Sequence, residues 1–160
     1  MAARGNAGLG PARIVALATP LALLGGAYVS QYGFGLVACE MCWWQRYAHF
    51  AALALAAVAF LVPRSRVPVA LAALAIAVSA AIGAFHAGVE YRWWQGLTAC
   101  TTTIAAGGDP LAAIMNAPLV RCDTAPWDLF GISLAGWNFL FSGAAALAIV
   151  LLLLRTEDTR

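Results

Sequence analysis

The chain has 160 residues, of which 63% are hydrophobic and only 10% are charged, and its formal net charge is +2. A typical soluble domain is about 25% charged, so this chain has too little polar surface to cover itself in water and is expected to lie in a membrane. Its nine basic residues are scattered arginines, which excludes the clustered basic surface of a nucleic-acid-binding protein.

Four apolar stretches approach the roughly 20 residues that a helix needs to cross the hydrocarbon core. They cover residues 14–32, 43–62, 67–86 and 132–154. Ala and Gly are frequent in all four, which lets membrane helices pack closely. The predicted fold class is an all-α integral membrane protein, a four-transmembrane-helix bundle that forms a single domain over residues 1–160.

The first apolar stretch has an alternative interpretation as a cleaved signal peptide. Arg4 and Arg13 precede it, and small residues lie at positions 25–27. A retained helix is favoured because the stretch continues to Tyr32, which is long for the apolar part of a signal peptide. The loops that follow lie on the same side of the membrane in either case.

The arginines predict how the helices are oriented. Six of them lie at the two termini and in the short turn 63–66, namely Arg4, Arg13, Arg64, Arg66, Arg155 and Arg160. By the positive-inside rule, both termini and this turn face the cytoplasm. The loops 33–42 and 87–131 then face the periplasm of a bacterium, and the chain is expected to be a multi-pass protein of the inner membrane. All four cysteines lie in these two loops.

The first of these loops leads into the stretch CEMCWWQRYAHF, residues 39–50. Cys39 and Cys42 have the spacing that lets two sulfurs meet at a helix N-terminus, as in other Cys-x-x-Cys sites. Arg46 and His49 share one helix face with Cys42. The helix dipole and the Arg46 guanidinium are expected to stabilise a thiolate on Cys42. An arginine inside an apolar helix usually has a partner or a ligand, here a thiolate or the oxygen of a polar head group.

Three other chemistries use cysteines in similar patterns. A c-type haem site needs Cys-x-x-Cys-His, and Trp43 occupies the histidine position. A zinc site that uses all four cysteines, with or without His86, is disfavoured because Cys100 and Cys122 are too far apart to form a second close pair, so no metal is predicted. Two static disulfides remain open on spacing alone. The position of Arg46 favours reactive cysteines.

The chain resembles the DsbB family of quinone-linked membrane oxidases over nearly its whole length. CEMCWWQR looks like the family's Cys-x-x-Cys followed four residues later by arginine. FHAGVEYRWWQGLTAC is similar to the segment that leads from the third helix to the third cysteine. CDTAPWDLFGISLAGWN resembles the family's final cysteine, followed by a Trp, a Phe-Gly and the start of the fourth helix.

The resemblance implies an enzyme, a protein-dithiol:quinone oxidoreductase that reoxidises a periplasmic DsbA-like partner. Cys100 would be attacked by the partner's thiolate, and the Cys100–Cys122 disulfide would be reduced by it. Cys39 and Cys42 would then reoxidise that pair through exchange between the loops. Cys42 would pass the electrons to ubiquinone or menaquinone. Such a quinone relay keeps the bacterial periplasm oxidising.

The quinone site is expected at the membrane edge beside the Cys-x-x-Cys, where Trp43 and Arg46 lie. Arg46 would hold the quinone and stabilise the thiolate. His86 matches a family histidine near the quinone and is the next candidate. His49 either contacts the quinone or is a polar residue packed between helices. Asn138 is expected to form a hydrogen bond between helices.

The second exterior loop contains GGDPLAAIMNAPLV, which predicts a short horizontal helix on the membrane surface. Asp109 is a good N-cap, Pro110 suits the first helical position, and Pro118 can end the helix. This helix is interpreted either as a mobile cover over the cysteines or as a plain packing element.

Two rival functions follow from the same features. A vitamin-K-epoxide-reductase-like protein also has four helices and four cysteines, but in that family the loop pair precedes the Cys-x-x-Cys. A structural membrane protein with two static disulfides would not react with dithiols.

Overall fold

The computed structural model describes residues 8–98, 115 and 120–155. These ranges contain four long helices and one two-stranded hairpin: α1 (Leu9–Phe34), α2 (Glu40–Leu61), α3 (Val67–Glu90), β1 (Asp128–Leu129), β2 (Ile132–Ser133) and α4 (Leu134–Arg155). The ends of α1 and α3 meet the beginnings of α2 and α4 at one end of the bundle, as expected for up-and-down helices joined by loops. The horizontal helix predicted near residues 109–118 lies outside the described residues, apart from position 115.

The helices extend beyond their apolar stretches at the end that carries the cysteines. α2 begins at Glu40 rather than at position 43, because Cys39 caps it: the Cys39 sulfur accepts a hydrogen bond from the Cys42 N–H at 3.3 Å. α3 continues past position 86 to Glu90. These extra turns place Cys42 and Glu90 on helices rather than in loops.

A short hairpin precedes α4, where the apolar stretch predicted a continuous helix from position 132. β1 and β2 are antiparallel, and Phe130 and Gly131 form the turn with φ of 55° and 75°. Two successive positive φ angles define the tight turn that matches strand twist, although phenylalanine is rare there. The Tyr91 hydroxyl holds the turn, since it donates to the Gly131 carbonyl and accepts from the Ser133 N–H, both at 3.0 Å. Strands of two residues leave no alternating pattern in the sequence, so they could not be predicted.

Within the described residues, α1, α3 and α4 are long and apolar enough to cross a membrane. α2 has 22 residues, about 33 Å of helix, but it is not among these three. Polar side chains in its first half, including Gln45, Arg46 and His49, lower its mean hydropathy. The protein is therefore mostly helical with three apolar helices of membrane-spanning length, and the fourth span is not confirmed.

Small side chains build the core between the helices. α3 packs mainly on α2 and α4, and the core cluster consists largely of alanines: Ala12, Ala16, Ala52, Ala56, Ala59, Ala72, Ala73 and Ala146. α3 and α4 approach each other closely at Gly83 in α3. A Cβ added there would lie 2.9 Å from the Ala135 carbonyl oxygen and 3.0 Å from Asn138 Nδ2. Gly83 therefore lets α3 and α4 approach closely enough for the polar contacts described below.

We expect Gly83→Ala to lower the free energy of unfolding by about 1–3 kcal/mol, because α4 must move away from the added methyl group. Gly25→Ala in α1 is the matched control, since an added Cβ there meets no atom within 4 Å. The control should be neutral or stabilising by up to about 1 kcal/mol. Thermal unfolding of both variants in the same detergent measures the difference in stability. Equal stability of the two variants would contradict the close contact between α3 and α4 at Gly83.

Candidate active site

The Cys-x-x-Cys lies at the N-terminus of α2 as two free thiols. Cys39 is buried, Cys42 is partly buried, and their sulfurs are 3.1 Å apart. The Cys39 thiol donates a hydrogen bond to Cys42, which raises the pKa of Cys39 together with burial. The same hydrogen bond and the nearby His86 ring outweigh burial and lower the pKa of Cys42 to about 4. Cys39 therefore stays a protonated thiol, whereas Cys42 is a thiolate.

A third sulfur lies beside this pair. Cys122 is fully buried and disulfide-bonded, and the Thr98 hydroxyl donates to its sulfur at 3.5 Å. The sulfurs of Cys39 and Cys122 and a ring nitrogen of His86 all lie within 4.8 Å of one another. Cys100 lies outside the described residues, so its pairing with Cys122 remains an implication of the family resemblance. A free thiol this close to a disulfide sulfur is suited to thiol–disulfide exchange.

His86 joins the sulfurs to buried polar groups. Its Nε2 is 3.5 Å from Cys39 Sγ and 3.7 Å from Glu90 Oε1, and both His86 and Glu90 are only 2% exposed. On the other side of the ring, Gln45 Nε2 lies 3.0 Å from Nδ1. Gln45 Nε2 also donates to the Met41 carbonyl at 3.2 Å, which identifies it as the amide nitrogen. His86 Nδ1 therefore accepts, and in the neutral ring Nε2 carries the hydrogen and faces Cys39 and Glu90.

This tautomer argues against a metal centre at Cys39, His86 and Cys122, the one group whose ligand atoms lie close enough among the described residues. A neutral histidine that binds a metal through Nε2 carries its hydrogen on Nδ1, which would then point at the Gln45 amide hydrogens. Cys122 is disulfide-bonded and offers no thiolate. The tautomer of His86 and the disulfide of Cys122 therefore argue against a metal ion held by these three residues.

Arg46 is almost completely buried, with 7% of its surface exposed. Its guanidinium donates to Gln31 Oε1 at 2.5 Å and to the Ala27 carbonyl at 3.2 Å. The rings of Tyr28 and Trp43 lie 5.0 Å from it. The arginine is thus held between α1 and α2 by oxygen acceptors and aromatic rings, which offset the cost of burying its charge.

Two cavities meet at the thiol pair. The Arg46 cavity has a volume of ≈ 250 Å³ and is lined mostly by apolar side chains of α1, α2 and α4, with a few residues that carry polar groups: Ser30, Cys42, Gln45, Arg46, His49, Trp137 and Asn138. The Glu90 cavity, of ≈ 360 Å³, is lined by Cys39, Cys42, His86 and Glu90 together with residues from the two loops that contain the cysteines. Cys42 lines both cavities, so this residue lies where they meet.

The predicted site residues do not all line the same cavity. Cys42, Arg46 and His49 line the Arg46 cavity together. His86 lines the Glu90 cavity and contacts the thiols, and Trp43 packs against Arg46 but is not among the residues that line the Arg46 cavity. The pKa of Cys42 is lowered mainly by Cys39 and His86, and Arg46 is not among the main causes of this shift.

Sequence reasoning did not select three polar residues that the structure places in or beside the site. Gln45 links His86 to Asn138, Gln31 accepts from Arg46, and the Trp137 indole nitrogen is buried beside the Arg46 cavity. Gln45 and Gln31 are amides inside or at the end of apolar helices, and that position alone is a signal for a functional or interhelical role. Nothing in the sequence distinguishes Trp137 from the other interfacial tryptophans.

A family model described as "Disulfide bond formation protein DsbB" matches residues 11–152. The chain belongs to the DsbB family. The match confirms the resemblance drawn from the cysteine motifs, and it covers all four helices and all four cysteines. This DsbB-family chain is therefore a membrane protein of disulfide-bond formation with a thiol oxidoreductase role. No curated protein and no solved structure gives a match to it.

We expect Cys42 of this DsbB-family chain to react with iodoacetamide at pH 5, where an ordinary thiol with a pKa near 8.5 is almost fully protonated. With a pKa of about 4, Cys42 is mostly thiolate above that pH, so its alkylation rate should stay nearly constant from pH 5 to 7. In Cys39→Ala the main hydrogen bond is lost, and the rate should fall steeply below neutral pH. Peptide mapping by mass spectrometry measures the alkylation rate of Cys42. Identical pH profiles for the wild-type protein and Cys39→Ala would show that the hydrogen bond from Cys39 does not lower the pKa of Cys42.

Proposed function

We propose that this chain oxidises the dithiol of a DsbA-like periplasmic partner and passes the electrons to a membrane quinone, ubiquinone or menaquinone. One observation carries the proposal: the free pair Cys39 and Cys42 lies between the sulfur of disulfide-bonded Cys122 and the Arg46 cavity. A thiol pair in that position has a disulfide partner on one side and a largely apolar binding site on the other.

The first half of the reaction is disulfide exchange. A thiolate of the partner attacks Cys100 and breaks the Cys100–Cys122 bond, and the partner's second thiolate resolves the mixed disulfide. Cys122 then attacks Cys39 in the oxidised Cys39–Cys42 pair, and Cys42 leaves as a thiolate. Attack of Cys100 on Cys122 restores the Cys100–Cys122 bond and releases Cys39. The short distance between Cys39 and Cys122 supports the inter-loop step, and the low pKa of Cys42 makes it a good leaving group.

The second half returns Cys39 and Cys42 to a disulfide. A bound quinone would accept two electrons from the two sulfurs, one proton from the Cys39 thiol and one proton from solvent, because Cys42 is already a thiolate, and would become quinol. The donor set fits such a group: the Arg46 cavity has room for a substituted ring, offers the guanidinium of Arg46 to an oxygen atom, and has the Cys42 sulfur on its wall. Over the complete cycle, the partner loses two electrons and two protons and the chain is unchanged.

The proposed setting is the bacterial inner membrane. With both termini and the 63–66 turn in the cytoplasm, the cysteine loops face the periplasm, where the partner is found. α2 then serves as the fourth span, and its polar first half faces the other helices rather than lipid. Gln45, Arg46 and His49 are all buried, which supports this arrangement.

Purified protein in detergent, mixed with reduced DsbA and a soluble ubiquinone analogue, should cause steady loss of the quinone absorbance. Cys42→Ser should abolish this turnover, because the thiolate beside the Arg46 cavity is removed. Cys100→Ser should abolish oxidation of DsbA, while its chemically reduced Cys39 and Cys42 should still reduce one quinone. A structural protein with two static disulfides would give no turnover, with both pairs unreactive.

We expect Arg46→Ala to slow quinone reduction roughly tenfold or more and to raise the quinone KM, since a hydrogen bond from a charged group contributes about 1.5–3 kcal/mol. Arg46→Lys should be only partly active, because lysine keeps the charge but not the planar fork of donors. Arg64→Ala, in the short turn, is the control for loss of a positive charge. Unchanged quinone kinetics in folded Arg46→Ala would remove Arg46 from the proposed site.

A further inference from the structure

Two buried polar atoms beside the Arg46 cavity have no hydrogen-bond partner among the described residues. They are Nδ1 of His49 and Nε1 of Trp137, and both side chains line the cavity. His49 is only 3% exposed, so bulk solvent does not reach its Nδ1. Buried polar groups without partners are rare in proteins, and two at one cavity indicate a ligand that satisfies both.

The chemical character of His49 Nδ1 follows from neighbouring groups whose roles are fixed. Asn138 Nδ2 lies 3.2 Å from the Ser79 carbonyl oxygen and 2.8 Å from Gln45 Oε1, so it is the donating nitrogen. Asn138 Oδ1 must then be the atom that lies 2.9 Å from His49 Nε2, and it also accepts from the Ser142 hydroxyl at 3.1 Å. His49 Nε2 therefore carries the hydrogen.

In the neutral ring only one nitrogen carries a hydrogen, so His49 Nδ1 presents a lone pair. The Trp137 indole nitrogen can only donate. The cavity thus offers one unsatisfied acceptor and one unsatisfied donor. A carbonyl oxygen accepts hydrogen bonds but cannot donate one, so an oxidised quinone satisfies Trp137 and leaves His49 unpaired. A hydroxyl group both donates and accepts, so a quinol satisfies both atoms.

We propose that His49 is the hydrogen-bond acceptor for a hydroxyl group of the reduced carrier, and that the Arg46 cavity consequently binds quinol more tightly than quinone. This inference rests on the proposed quinone reaction, and it adds that the Arg46 cavity prefers the reduced form of the carrier. Preferential binding of the product makes the bound quinone a stronger acceptor for the two electrons of Cys39 and Cys42. Oxidation of a partner as oxidising as DsbA needs such a strong acceptor.

The test is equilibrium binding of a short-chain ubiquinone and its quinol, without oxygen, to the full chain carrying Cys42→Ser so that no turnover occurs. The quinol should bind more tightly than the quinone. Adding His49→Phe should raise the quinol Kd roughly two- to tenfold, as expected for one hydrogen bond, and leave the quinone Kd nearly unchanged. Trp137→Phe is the matched control: it should weaken both redox forms alike, because the indole N–H serves a carbonyl or a hydroxyl oxygen equally.

A second measurement does not depend on either carrier. ¹⁵N NMR of the histidine rings in the folded, ligand-free protein should show that His49 is protonated at Nε2 and unprotonated at Nδ1. A hydrogen on Nδ1, or a His49→Phe variant in which both Kd values change in parallel, would overturn the assignment of His49. If the wild-type site binds neither quinone nor quinol, the proposed function fails as well, whereas binding with an unaltered preference in His49→Phe overturns the inference alone.

Discussion

The side chain of Asn138 connects three helices, and the geometry of the site depends on it. From α4 it donates to Gln45 of α2 and to the carbonyl oxygen of Ser79 in α3, and it accepts from His49 of α2. In a bundle with an apolar exterior, a polar group that loses these partners has no water to replace them. Sliding or rotating any of the three helices would break several of these hydrogen bonds together. The network therefore fixes the helix register, and the small residues around it, Gly83 above all, let the helices come close enough to form it.

That register decides what each cysteine of the motif faces. Cys39 lies toward Cys122 and His86, whereas Cys42 reaches the wall of the Arg46 cavity. The two sulfurs differ in protonation because one donates its hydrogen to the other. In the proposed reaction, disulfide exchange takes place at Cys39 and contact with the quinone at Cys42, whose sulfur is 3.1 Å away. Electrons would then pass from one process to the other without any large movement of α2.

Local features of the sequence were enough to predict the helices, the cysteine motif and the family. Long apolar stretches, Cys39 and Cys42 at a helix start, and an arginine one turn later are all visible over a few neighbouring residues. Features that depend on distant residues were not predictable: the hairpin turn held by Tyr91, the position of His86 beside the thiols, and the role of Gln45 between two helices. Each of these features depends on which faces of the helices pack against one another. In a membrane protein the pattern of apolar residues defines those faces poorly, because lipid-facing and core-facing positions are both hydrophobic.

The Cys39 sulfur also has a structural role, because it caps the N-terminus of α2. Whenever this sulfur moves to bond with another cysteine, the Cys42 N–H loses its acceptor and the first turn of the helix loses its cap. Backbone amides in that turn should then exchange with solvent deuterium faster than in the dithiol state described here. The chemical state of one sulfur is thereby transmitted to the backbone, and a loosened first turn of α2 would mark the molecules in which Cys39 is disulfide-bonded.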